Sequence, residues 1–154
     1  MRKRSLAVTG LVWLSCLVGT TPARAQSSAD SAAIRTAARD YIEGWYAADA
    51  ARMERAVHPE LAKRIHLLEP GSGRSFVQRT GASALVESTA RGGGSDTPER
   101  ERRGEVEILD VFRGAASVRV DAADWVDYLH LARTSDGWRI LNVLWELREP
   151  PARP

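Results

Sequence analysis

From Gly104 onward the apolar residues of this chain recur every second position, and before it they recur every third or fourth. That switch of period constrains the fold more than any other feature. Four alternating segments follow it, Glu105–Phe112, Ala115–Asp121, Trp125–Arg133 and Trp138–Leu147, and they read as strands. Arg113-Gly114 fits one tight hairpin, and Thr134 to Gly137, closing on Asp-Gly, fits another. Helices first and a strand meander afterwards predict an α+β domain, N-terminal helices packed on an antiparallel sheet.

The helical part begins at Asp30 or Ser31, two candidate N-caps, and runs to about Ala48. Ile34, Ala38, Tyr41, Ile42 and Trp45 fall on one face, whereas Arg35, Arg39 and Glu43 form a charged ladder on another. Asp49 caps a shorter helix through Val57, which Pro59 closes. Pro59 to Glu69 is ambiguous, a helical turn and then a short strand around Ile65 to Leu68. Gly71-Ser72-Gly73 is a turn, Ala82–Ala90 a third helix, and Gly92 to Gly94 its end. Ser95–Gly104 is a charged loop expected to be solvated and mobile, a candidate flap.

Arg2, Lys3 and Arg4 precede an apolar run from Leu6 to Val18, and Ala23-Arg24-Ala25 supplies a small-x-small cleavage site. Residues 1–25 are therefore expected to be a signal peptide cut after Ala25. Residues 26–148 would be the exported domain, periplasmic or secreted, and 149–154 a disordered tail. The only cysteine, Cys16, would leave with the leader, and bulky Trp13 is a poor lead-in for lipidation there. No membrane attachment is expected after cleavage. Without Arg2, Lys3, Arg4 and Arg24, the 22 basic and 20 acidic residues become 18 against 20, which gives no support to nucleic-acid binding.

In the last strand Leu141, Val143, Trp145 and Leu147 form one stripe, while Ile140 and Leu144 join Asn142 on the other. A sheet with one wet face should alternate more cleanly. Cover on both faces is expected, helices on one and a second copy of the chain on the other, hence a homodimer.

YIEGW (41–45), HPELAKR (58–64), ILDVF (108–112), DYLHLAR (127–133) and GWRILNVLWEL (137–147) resemble the nuclear transport factor 2-like superfamily, in its branch labelled putative lumazine-binding. The resemblance covers about Ile34 to Leu147. It implies a cone with helices wrapped on a strongly curved sheet, commonly a dimer, enclosing a pocket; function does not follow from the fold.

Of the polar candidates, His58, His66 and His130 lack metal-site spacing, so neither metal nor cofactor is expected. On the third strand Val126, Tyr128, His130 and Ala132 share one face, and Trp125, Asp127, Leu129 and Leu131 the other. Each face sets one ionisable group among apolar neighbours, and which face lines the pocket stays open. The expected lining is Tyr41, Trp45, Trp125, Asp127, Tyr128 and His130, with Tyr41, Asp127 and His130 as catalytic candidates. Compared with ketosteroid isomerases of the superfamily, Tyr41 falls at the tyrosine position and Glu69 near the base, but Leu129 falls where a donor acid is needed. Leucine cannot donate. The leading expectation is therefore binding of a small apolar or aromatic molecule without catalysis. An isomerase, dehydratase or cyclase using Tyr41 with Asp127 or His130 is the first alternative, and a dimeric interaction module the second.

Overall fold

A computed structural model describes residues 23–69 and 72–148, with side chains described from Ser28 onward. The apolar run of the leader, Gly71 of the predicted turn and the tail from Glu149 lie outside the described residues. So does the Ala25 cleavage site as regards side chains. Helix α1 spans Ala23–Ala47 and α2 spans Ala50–Ala56; strands β1 (Val57–Leu68) and β2 (Ser75–Gly81) follow. After α3 (Ala82–Ala90) come β3 (Glu105–Phe112), β4 (Ala115–Asp121), β5 (Trp125–Thr134) and β6 (Gly137–Leu147).

The six strands form one open, curled sheet in the order β2-β1-β6-β5-β4-β3, and the three helices cover its inner face. The apolar stripe of α1 is what docks there. Ile34, Ala38 and Ile42 are wholly buried against Val118, Val120, Leu129 and Ile140 from the strands. Each of the two isoleucines contributes about 1.5–3 kcal/mol by leaving water, and the alanine less. Asp49 caps α2 as its sequence position suggested, its carboxylate accepting from Arg52 N at 3.0 Å.

Several expectations are corrected. Asp30 does not cap α1, which starts a turn and more earlier. Its carboxylate instead accepts from Arg133 and, at 3.2 Å, from the Trp138 indole. The charged face of α1 is solvent-exposed as expected, Arg35, Arg39 and Glu43 alike, and it makes tertiary contacts at its edges: Arg35 donates to Val106 O at 2.8 Å, and Glu43 accepts from Arg52 at 2.5 Å. The ambiguous segment is one long strand that starts at Val57. Pro59 is tolerated within it because the β1–β6 ladder is interrupted between Val57 and Ala62, where no bond needs its missing N–H. β1 runs parallel to β6, so the sheet is mixed rather than purely antiparallel. Strand β2 had no forecast; it is an edge strand with Phe76 and Val77 both exposed, so its pattern does not alternate.

The mixed stripe on β6 has a local cause. His130 pairs with Asn142 and Leu131 with Ile140, which leaves Leu141 without a partner across β5. This bulge resets the alternation, so Ile140 and Val143 both face the core. A covered outer face is not needed to explain it. The Ser95–Gly104 loop is also tied down: Arg102 donates to Thr97 O and Ser95 O at 2.9 Å each and lies 5.7 Å over the Tyr46 ring.

Candidate functional site

Strands β1 and β5 both border β6, so side chains on their inner faces meet across it. Lys63 stands beside Val143, and Asp127 beside Trp145. Lys63 lies on the inner face between Leu61 and Ile65, both buried, and so is carried into the core with them. Its Nζ donates to Asp127 Oδ1 at 2.6 Å and to Tyr41 Oη at 2.6 Å. The Trp125 indole donates to the other carboxylate oxygen, Oδ2, at 2.6 Å. Asp127 is 0% exposed, and burial of such an ion costs several kcal/mol. Two charge-assisted hydrogen bonds, one to each oxygen, offset that cost.

Above this cluster is a cavity of about 200 Å³. Trp45, Trp125, Trp145 and Tyr41 form much of its wall, with Lys63 as its one ionised lining group. Met53 and Leu85 add apolar surface, and Thr80 and Ser88 hydroxyl-bearing side chains. The tryptophans hold one another in place: Trp125 meets Trp45 and Trp145 edge-on, each with ring centroids 6.5 Å apart, and leans on Tyr46 at 6.3 Å. Lys63 Nζ lies 4.9 Å from the Trp145 ring centroid and 5.4 Å from that of Tyr41.

Of the residues expected to line the pocket, Tyr41, Trp45, Trp125 and Asp127 come together here. Asp127 lies beneath Lys63 rather than in the cavity wall. Tyr128 and His130 do not join them. They point to the outer face of the sheet and are exposed, His130 between Ser117 and Asn142 in the flanking strands. His130 therefore lies outside this site. His66 is exposed, His58 Nδ1 accepts from Glu60 N at 3.1 Å, and Glu69 is exposed and accepts from Ser72. Among the described residues no three of His, Cys, Asp or Glu converge in a metal-binding group. Lys63 was missed by sequence reasoning, although Leu61-x-Lys63-x-Ile65 does place one charge on an apolar strand face.

The Gly92 to Gly94 run closes one wall. Gly93 has φ +51°, and a Cβ there would come within 2.6 Å of Trp45 O. A Cβ on Gly94 would fall 2.5 Å from the Trp45 indole nitrogen. Gly94→Ala is therefore expected to displace that indole and cost about 1–3 kcal/mol by overpacking, read by urea denaturation followed through tryptophan fluorescence. An unchanged midpoint and spectrum would count against this contact.

Burial, then the charge of Asp127 and a hydrogen bond to its carboxylate, hold the Tyr41 hydroxyl well above its ordinary value. Burial pulls the Lys63 ammonium below its ordinary value, against the opposing pull of Asp127. Tyr41 thus stays neutral where the unfolded chain would ionise it. Its contribution to stability is whole below about pH 10 and is lost as pH rises through the raised value. Lys63 acts in the opposite sense, its contribution falling as pH drops through the lowered value. The phenolate absorbance that Tyr41→Phe removes is expected only well above about pH 10; titration near 10 would contradict the burial.

A family model described as putative lumazine-binding matches residues 29–146. A search of curated proteins finds none that matches. Among solved structures, an NTF2-like protein with a cystatin-like fold from Novosphingobium aromaticivorans is 17% identical, with a TM-score of 0.60 over 84% of this chain and 89% of that one. An NTF2-like protein of unknown function from Shewanella baltica OS155 is 15% identical, with a TM-score of 0.59 over 80% and 97%. Another, from Silicibacter pomeroyi DSS-3, is 16% identical, with a TM-score of 0.56 over 81% and 98%. At such identities the likeness is one of fold.

Proposed function

The chain belongs to the putative lumazine-binding family of NTF2-like domains, and from that premise we propose that it binds a small, flat, largely apolar molecule without transforming it. One observation carries the reading: an aromatic-walled cavity with a single hydrogen-bonding cluster at its base. The volume is informative. An apolar cavity of about 150 Å³ accepts benzene, so about 200 Å³ suits one or two rings. Glu69, which the superfamily resemblance puts near the base of the isomerases, is exposed and is not among the residues lining the cavity, which supports binding over isomerase chemistry. The test is mass spectrometry of small molecules that co-purify with the protein, and calorimetry with lumazine as a first probe. A protein that co-purifies with nothing and binds no one- or two-ring aromatic would end this reading.

An enzymatic reading retains one specific support, the convergence of Tyr41, Lys63 and Asp127 within hydrogen-bond reach on one cavity. It requires that the co-purified molecule change mass on incubation with the protein. An unaltered ligand would remove it.

Two further proposals concern the setting. The first is export: the basic start, the apolar run and Ala23-Arg24-Ala25 support cleavage after Ala25, which would leave Gln26 first. Among the described side chains none from Ser28 to Ala33 is buried and the buried face of α1 begins at Ile34, so this cut would spare the described core. The intact mass of protein from its native cell checks it. The second is homodimerisation through the outer sheet face, where Tyr128 and Leu144 pair across β5 and β6 at 45% and 58% exposed. Arg64 and Arg119 flank them and Glu107 and Glu146 lie close by, so a second copy could pair opposite charges around this apolar centre. Leu144→Glu is expected to turn the dimer into a monomer in sedimentation. A wild-type chain already monomeric at high concentration would dispose of the proposal, and of the interaction-module reading with it.

A further inference from the structure

The charge arrangement beneath the cavity narrows the class of ligand, an inference that rests on the binding reading above. Lys63 is the only lysine, arginine or histidine among the residues lining the cavity. Its charge is already matched by Asp127, a wholly buried carboxylate 2.6 Å away that does not itself line the space. The pair is thus neutral overall, with its positive end towards the cavity. An ammonium has three N–H donors. Two are taken by Asp127 Oδ1 and Tyr41 Oη, and no further acceptor for Lys63 occurs among the described residues. The third has only aromatic faces beside it, with the Trp145 ring centroid 4.9 Å from Nζ, and a guest oxygen is the stronger acceptor for it.

A ligand that brings a full negative charge would add an anion to a site with no unmatched cation. It would also lie against aromatic faces, whose electron-rich side repels negative charge. Losing its hydration would be largely uncompensated. A neutral acceptor, such as a ring carbonyl or an amide oxygen, makes the same hydrogen bond to Lys63 and carries far less hydration to lose. We infer that the cavity selects a neutral, flat, one- or two-ring molecule whose carbonyl-type oxygen accepts from Lys63, and that it rejects the same skeleton bearing a carboxylate. Asp127 is then a positioning residue that sets ligand charge without touching the ligand.

Three probes of one skeleton test this by NMR titration at neutral pH: naphthalene, 2-naphthamide and 2-naphthoate, each against wild type and Asp127→Asn. In wild type the amide is expected to bind about tenfold more tightly than either of the others. In Asp127→Asn the Lys63 charge is unmatched, and the order of amide and carboxylate should reverse. Tyr41 and Trp125 resonances report whether that variant is folded. If it is not, the wild-type order alone decides. A carboxylate that binds wild type as well as the amide overturns the inference and leaves the binding reading intact. If neither this series nor benzene, benzamide and benzoate bind wild type at all, the binding reading falls and the inference falls with it.

Discussion

Lys63→Met is expected to destabilise the domain by about 3–5 kcal/mol, because it leaves the Asp127 carboxylate buried with no cation. Methionine roughly conserves the volume of the lysine stem, so little of the loss would come from a void. The expected size follows from asymmetry. The pair is worth little beyond an apolar replacement, whereas breaking it strands one charge in a place that water does not reach. Asp127→Asn should cost less, since the amide oxygen still accepts from the Trp125 indole and the charge left behind, that of Lys63, borders the cavity instead of lying sealed in the core. Combining Lys63→Met with Asp127→Asn should recover part of the loss, because neither charge then remains. Chemical denaturation of the four proteins gives the coupling energy, expected to be about 1.5–3 kcal/mol in favour of the double variant. Additive losses would show that Lys63 and Asp127 do not act as a unit, and the electrostatic argument for ligand choice would fail with them.

What could be read from the sequence follows from how local each cause is. The stripe of α1 is local, and Ile34, Ala38, Tyr41 and Ile42 are buried where the 3.6 period puts them. The strands β3 to β6 are adjacent hairpins, so alternation and turn chemistry sufficed. The parallel pairing of β1 with β6 joins residues about Val57 to residues about Ile140, and nothing in either segment names the other. β2 is exposed over most of its length and so carries no core-facing pattern. Strand period separated Asp127 from His130 by face but could not say which face the helices cover. Only tertiary packing decides that, and it assigned Trp125, Asp127 and Leu129 inward. Lys63 was hidden twice, by the uncertain status of its segment and by the habit of assigning lysines to solvent. The broken alternation around Leu141 cannot by itself call for a second covered face, because an inserted residue and a two-sided strand give the same pattern.

Trp125 joins the cavity wall to the charge cluster, and its two substitutions should separate those roles. Trp125→Ala removes the ring that holds Trp45, Tyr46 and Trp145 in place, and truncation of a large core aromatic costs about 3–5 kcal/mol. Trp125→Phe keeps an aromatic ring on the same wall but takes the donor from Asp127 Oδ2, a charge-assisted bond whose loss in a buried site costs about 1–3 kcal/mol. Ligand affinity should divide differently. The alanine variant opens the wall, so a flat guest loses a face to stack on and binding should fall on the order of tenfold or more. The phenylalanine variant retains the stacking surface, and the bond it loses lies behind Lys63, away from the guest. Its affinity at a temperature where the fold is intact should stay within about threefold of wild type. A phenylalanine variant that folds well and binds as poorly as alanine would place the indole N–H in direct contact with the ligand, and Asp127 would then be a competitor for that donor rather than its partner.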